Sequence, residues 1–299
     1  TDLVRYCKEQ QMDVIVDHSG SPYTRLAHIY AALRLKKVRF LLYLHSNAYY
    51  SADKGIKEWV YARLLRSAAR HSAKIVAISH SVAESYLRCY HLPKDKMQVV
   101  YNGTDLHRFI PHPAHTDTPL RLIYVGRIIR DKGIDLLLEA LAACPTDTPI
   151  TLTLVGSDHG GYTEQMQALA ARLHLEDKVQ FLGSRTDVPQ LLQAADLFVH
   201  PATCQEGFGI TLIEAMASGV PCLAFPKGAI PEIIGPEIDG FLTEEVSAAA
   251  LTAGINRALE LFTKAPHHWH TLCKNARQKA ELFSIERTVA QLETLYREQ

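Results

Sequence analysis

The sequence lacks any apolar run of the ~18 residues that a membrane-spanning helix needs, so an integral membrane protein is not expected. Its opening residues, TDLVRYCKEQQ, contain no apolar stretch of the secretory kind, and no secretory signal is expected. The six cysteines (Cys7, Cys89, Cys144, Cys204, Cys222, Cys273) include no Cys-x-x-Cys pair. Thiols scattered in this way read as reduced and cytosolic, forming neither a disulfide framework nor a zinc site. Internal repeats and low-complexity tracts are missing. Net charge is missing too, because 32 Lys and Arg balance 32 Asp and Glu. That balance hides an asymmetry: residues 1–117 hold 17 basic against 10 acidic side chains, leaving 15 against 22 for the rest. Either charge has drifted between two domains, or only the first half faces an anionic partner, such as a membrane surface or an acidic acceptor.

What is present is ordinary globular material. A 47% hydrophobic, 21% charged chain of 299 residues can build two cores, which excludes disorder as the dominant state. Short runs of Val, Ile and Leu alternate with helix-period stretches throughout. Strands are predicted at 12–17, 39–44, 74–79 and 97–102, with helices at 22–35, 54–71 and 80–90 between them. Further strands follow at 120–126, 150–156, 179–183, 196–200, 221–225 and 240–243, each leading into an amphipathic segment. Strands that alternate with helices and are apolar on both faces imply parallel sheets in doubly wound α/β layers. The stretch 110–119 holds three prolines among polar residues and suits an extended hinge.

Two segments carry candidate chemistry. The first, GRIIRDKG, runs from Gly126 to Gly133 between a predicted strand and the helix IDLLLEALAA. A strand-end glycine lets a ligand approach the backbone, and a helix N-terminus offers unpaired amides. Arg127 and Lys132 add two cations, which makes a diphosphate the natural guest. A plain strand–helix turn with exposed basic residues has the same appearance. The segment is neither GxGxxG nor a Walker loop, so dinucleotide and ATPase readings are weak. The second segment, PATCQEGFGITLIEAM, starts at Pro201, at the carboxyl end of a predicted strand. Gly207 and Gly209 around Phe208 allow successive N–H groups to face one concavity, and a helix starting near Gly209 aims its amides there. Glu206 and Glu214 bracket this turn eight positions apart. Glu206 can reach a sugar ring and Glu214 a ribose diol; compensation of the helix terminus is the alternative for Glu214.

Together with LVG at 154–156, FLG at 181–183, YNGTDLHRF at 101–109 and PEIIGPEIDGFLT at 231–243, these segments resemble family 4 glycosyltransferases. Members are retaining, nucleotide-sugar-dependent enzymes of the GT-B fold. The resemblance implies two Rossmann-like, doubly wound parallel-sheet domains facing a cleft: an N-terminal domain at 1–115 and a nucleotide-sugar-binding domain at 116–282. A C-terminal helix at 283–299 would pack back toward the first domain. By comparison with typical domain sizes, the first domain is expected to be incomplete by roughly 60–90 residues. Arg127 and Lys132 would neutralise the departing diphosphate, converging with Glu214 on one donor, whose ribose Glu214 holds. Glu206 would contact the transferred sugar, and the amides of Gly207, Phe208, Gly209, Ile210 and Thr211 would cradle sugar or phosphate. Arg185 would lie near the base. His45, ending a first-domain strand and expected to face the cleft, would assist near the reacting carbon; His18 is a weaker candidate by the same geometry. The alternative for His45 is a satisfied strand-end histidine.

No cofactor and no metal are expected, since there is no DxD motif and the HHWH run at 267–270 reads as the surface start of a helix. The substrate is expected to be a nucleotide-diphosphate sugar, with UDP the favoured carrier. The acceptor would be a lipid-linked saccharide, lipopolysaccharide or polysaccharide, and no nucleic acid is expected as partner. The helix at 56–74 shows an apolar stripe (Ile56, Val60, Leu64) and a basic one (Trp59, Arg63, Arg66, Arg70). The basic stripe either lies on anionic lipid, making a cytoplasmic protein peripheral to a membrane, or is simply a solvated face. A non-transferase of the same scaffold (epimerase or phosphorylase) and an inactive donor-binding module are the competing functions.

Overall fold

Every predicted run of branched residues becomes a strand, and every strand pairing is parallel. The computed structural model describes residues 2–19, 22–48, 55–111, 119–145, 147–158 and 160–297. Most of the proline-rich stretch expected as a hinge, residues 112–118, lies outside them. Two compact units emerge, Thr1–Asn102 with Thr288–Gln299, and Gly103–Arg287.

The first unit runs α1 (Asp2–Glu9), β1 (Val14–Asp17), α2 (Pro22–Arg34), β2 (Arg39–Leu44), α3 (Gly55–His71), β3 (Lys74–Ala77), α4 (His80–Tyr90) and β4 (Met97–Val99). Its sheet has the order β1-β2-β3-β4. In β2, Phe40 to Leu44 are buried without alternation, as expected where helices cover both faces of a parallel sheet. Helix α4 begins where the Ser79 hydroxyl accepts the Val82 N–H at 3.1 Å and ends at His91 in the left-handed region. The face of α3 that packs is not the stripe Ile56, Val60, Leu64. Ala62, Leu65, Ala68 and Ala69 are buried instead, with Glu58, whose carboxylate accepts the Tyr90 hydroxyl at 2.7 Å. Small residues and one satisfied carboxylate let the helix sit close. Ile56 and Trp59 are left 77% and 55% exposed, with the Arg63 guanidinium 5.6 Å from the Trp59 ring centre.

The second unit runs β5 (Leu120–Val125), α5 (Ile134–Ala142), β6 (Ile150–Val155), α6 (Tyr162–Arg172), β7 (Val179–Gly183), α7 (Val188–Gln193), β8 (Leu197–His200), α8 (Ile210–Ala217), β9 (Cys222–Ala224), α9 (Ile230–Ile233), β10 (Gly240–Leu242), α10 (Ala248–Lys264) and α11 (Pro266–Ala280). Its six strands lie in the order β10-β9-β8-β5-β6-β7. The chain builds outward from β5 on one side, then returns and builds outward from β8 on the other. Beside these two central strands, buried Asp196 takes Arg121 in a two-pronged pair at 2.9 and 3.0 Å and also accepts the Arg121 backbone N–H at 2.8 Å. The HHWH run opens α11: its histidines are exposed while Trp269 turns into the core, edge-on to Phe262 at 5.4 Å. Last comes α12 (Ile285–Arg297). From Thr288 onward the chain belongs to the first unit, where the Thr288 hydroxyl donates to the Tyr101 carbonyl and Arg39 donates to that of Tyr296, at 2.9 and 3.1 Å.

Candidate active site

Strands β5 and β8 are neighbours, and the direction of winding reverses between them. A crevice opens at the carboxyl ends of such a pair, where open α/β sheets bind ligands. The two candidate segments leave these two strand ends. They are locked together by backbone: the Thr203 N–H donates to the Asp131 carbonyl at 3.0 Å. Gly133, at φ +65°, closes the turn Arg130–Lys132 and starts α5; a Cβ there would lie 2.1 Å from the Pro201 carbonyl oxygen. From the far side Gly228, at φ +61°, comes so near that a Cβ would meet the Glu206 carbonyl oxygen at 2.0 Å. The Ala229 N–H donates to that same carbonyl at 2.9 Å. Residue 206 is therefore held by the main chain of residues 228–229 before its side chain does anything.

Its carboxylate joins a cluster. Lys132 Nζ stands 2.5 Å from Glu206 Oε2, and His200 Nε2 stands 3.3 Å from the same oxygen. The lysine and glutamate side chains are 14% and 19% exposed, and that of His200 only 4%. The His200 hydrogen bond and the Lys132 charge hold the Glu206 carboxyl at about 2, well below the carboxylate range. Burial lowers the His200 pKa, so its ring is neutral. An ionised carboxylate can only accept, so Nε2 carries the ring proton and Nδ1 keeps its lone pair. Nδ1 is buried and has no hydrogen-bond partner among the described residues.

The carboxylate that meets Lys132 is Glu206. Glu214 is half-buried on α8; burial raises its pKa, and the charge acting against that rise is Arg108. Arg127 is exposed and has no ion pair among the described residues, and its carbonyl accepts the Tyr124 hydroxyl at 2.8 Å. That hydroxyl also explains Gly126, where a Cβ would lie 2.6 Å from it. The glycine accommodates the protein's own tyrosine as well as any ligand.

Helix α8 starts at Ile210 after Gly209, which sits at φ +97°, and its first turn presents the amides of Ile210 and Thr211. Gly207 does not need a positive φ. The Phe208 ring is buried at 3% exposure, edge-on to Phe283 at 5.6 Å, so only its backbone is left to face a ligand. Arg185 follows β7, two strands from β5, and its guanidinium is fixed on Asp187 at 2.8 and 2.6 Å. It is not gathered with the Lys132 cluster.

In the first unit, His45 follows β2 and His18 follows β1, adjacent strands, so the rings meet: His18 Nδ1 and His45 Nε2 are 2.8 Å apart. Tyr43 lies against both, with ring centres 4.7 Å away in each case. Burial, then the His18 charge, lowers the His45 pKa. Among the described residues, no three His, Cys, Asp or Glu side chains are grouped to hold a metal ion, and no helix is long and apolar enough to cross a membrane.

Residues 108–279 match the family described as glycosyl transferases group 1. The chain belongs to this family. Residues 1–108 match Glycosyltransferase Family 4, and the pair of parallel-sheet α/β units is that of the GT-B fold. Among characterised relatives, it is 27% identical to N-acetyl-alpha-D-glucosaminyl L-malate synthase of Bacillus anthracis, over 98% of this chain and 77% of that protein. It is 30% identical to the D-inositol 3-phosphate glycosyltransferase of Salinispora tropica over 75% of this chain. Only 51% of that relative is covered, so the chain spans about half its length. The crystal structure of Anabaena HepE in complex with UDP superposes with a TM-score of 0.84 at 26% identity, over 98% of this chain and 80% of that one.

His200 is the site residue that sequence reasoning passed over. Its signal was available: it is the last residue of the strand predicted at 196–200, next to Pro201, at the strand end where ligands bind.

Proposed function

We propose that this glycosyltransferase moves a hexosyl or N-acetylhexosaminyl group from a nucleotide-diphosphate donor, UDP favoured, to a lipid-linked saccharide, lipopolysaccharide or polysaccharide, with retention at the anomeric carbon. The carrying observation is the Lys132–Glu206–His200 cluster at the β5/β8 crevice, beside the first turn of α8. HepE, the structural relative above, has been crystallised with UDP and with UDP-glucose, which supports a donor of this class. Lys132 and Arg127 take the diphosphate as it leaves an oxocarbenium-like centre, and the α8 amides add fixed partial positive charge. Glu206 accepts from the sugar hydroxyls, Glu214 from the ribose, and Arg185 lies toward the base. His45 assists near the reacting carbon. No metal is needed in this scheme, because side-chain cations and amides supply the charge stabilisation. The α3 face bearing Trp59 and Arg63 rests on the cytoplasmic side of an anionic membrane.

The test is donor hydrolysis and transfer with Glu206→Ala, Arg127→Ala and Lys132→Ala. Each is expected to lose at least about 10²-fold in kcat, the scale of removing one preorganised charge-stabilising group. A chelator is expected to leave the wild-type rate unchanged, and unaltered turnover in all three variants would overturn the assignment.

A further inference from the structure

Glu206 Oε2 is approached by Lys132 and by His200, which differ in kind. His200 reaches it from the strand end, with a neutral ring only 4% exposed and held in the packed interior. Lys132 reaches it from the turn that leaves β5, on a flexible stem, and has an ammonium with three donors. The histidine cannot leave without opening the core, whereas the lysine can swing to another anion by rotating its own side chain. Under the reading proposed above, that anion is the donor diphosphate. The same ammonium is thus wanted by two negatively charged groups, and Glu206 itself is wanted by the sugar.

We propose that Lys132 is exchanged between Glu206 and the donor diphosphate, and that this exchange couples recognition of the nucleotide to recognition of the sugar. A nucleotide sugar separates the pair at little cost: the diphosphate receives Lys132, and the sugar hydroxyls donate to the Glu206 oxygen the lysine has left, while His200 keeps the carboxylate in place. A nucleoside diphosphate without sugar takes Lys132 but gives Glu206 nothing in return, so Glu206 opposes its binding. The carboxylate therefore selects the loaded donor over the spent one, and after transfer it competes for Lys132 and helps to expel the product. His200 is a positioning residue in this scheme, acting through Glu206.

The inference rests on the nucleotide-sugar reading, and one calorimetric series separates the two. UDP, GDP and ADP are titrated into the wild-type chain, and the tightest binder becomes the probe. If none binds, the nucleotide-donor reading falls. Glu206→Gln keeps the shape but removes the charge, and thermal unfolding verifies that it is folded. It is expected to bind the free diphosphate about five- to tenfold more tightly than wild type, the scale of one partly buried ion pair, while losing affinity for the corresponding UDP-, GDP- or ADP-glucose. In a Lys132→Met background, which binds the diphosphate weakly, the same Glu206→Gln change is expected to alter diphosphate affinity less than about twofold. Diphosphate affinity in Glu206→Gln that is equal to or below wild type overturns the exchange while leaving the donor reading intact. For His200, Leu removes the donor and Gln restores one; recovered selectivity for nucleotide sugar over free diphosphate in His200→Gln supports positioning, and equal loss in both rejects it.

Discussion

Glu206 and Glu214 look interchangeable as letters, yet the fold gives them opposite electrostatics. One is held at about 2 by a buried histidine and a lysine, and the other is raised by burial. A carboxyl whose pKa falls on folding, here from 4.5 to about 2, adds stability that is complete above the unfolded value. That stability is lost as pH drops through the window between the two. Glu206→Gln is therefore expected to be about 1–3 kcal/mol less stable than wild type at pH 7, with the gap closing as pH falls from about 4.5 toward 2. Urea unfolding at several pH values measures it; a gap that does not change with pH would mean the charge is not engaged. The identity of the two glutamates was legible from their spacing around the glycine turn. Which of them meets Lys132 was not, because that depends on how two residues 74 positions apart are brought side by side.

At the scale of elements, the site depends on how closely the two loops approach. Gly133→Ala places a Cβ 2.1 Å from the Pro201 carbonyl oxygen at φ +65°, whereas Gly160, at φ +100°, has nothing within 4 Å of its built Cβ. Both substitutions strain the backbone, but only the first forces the loops apart. Gly160→Ala is expected to cost about 1 kcal/mol and Gly133→Ala more than about 2 kcal/mol, together with weakened nucleotide binding. Thermal unfolding of both variants decides; equal costs would show that the close approach is not what Gly133 provides. Strand positions were legible to within about three residues at either end, because the central strands are apolar runs in a sheet covered by helices. The packed face of α3 was not. A stripe of Ile and Val looked like the natural buried side, but small residues and a tyrosine-bonded glutamate allow closer packing, and Ile56 and Trp59 are turned out.

For the whole molecule, charge and exposed apolar side chains point the same way. Residues 1–117 carry an excess of basic groups, and within them α3 exposes Trp59 beside Arg63. Vesicles containing anionic phosphatidylglycerol are expected to retain the protein in sedimentation, and neutral phosphatidylcholine vesicles are not. Trp59→Ser with Arg63→Ser should release it, and so should raising salt, which shortens the screening length. Binding that ignores lipid charge and both substitutions would remove the membrane contact from the proposal.

By itself the sequence determined the alternation of strand and helix, the parallel sheets and the two glycine-bearing segments, because hydrophobic period and turn chemistry are local properties. Only the tertiary structure decided that β8 returns to lie against β5. That return brings Lys132 to Glu206 and His200. The physical reason is that a side chain's partner and its protonation are set by what the fold places within a few ångströms, and that distance is not written in its neighbours along the chain.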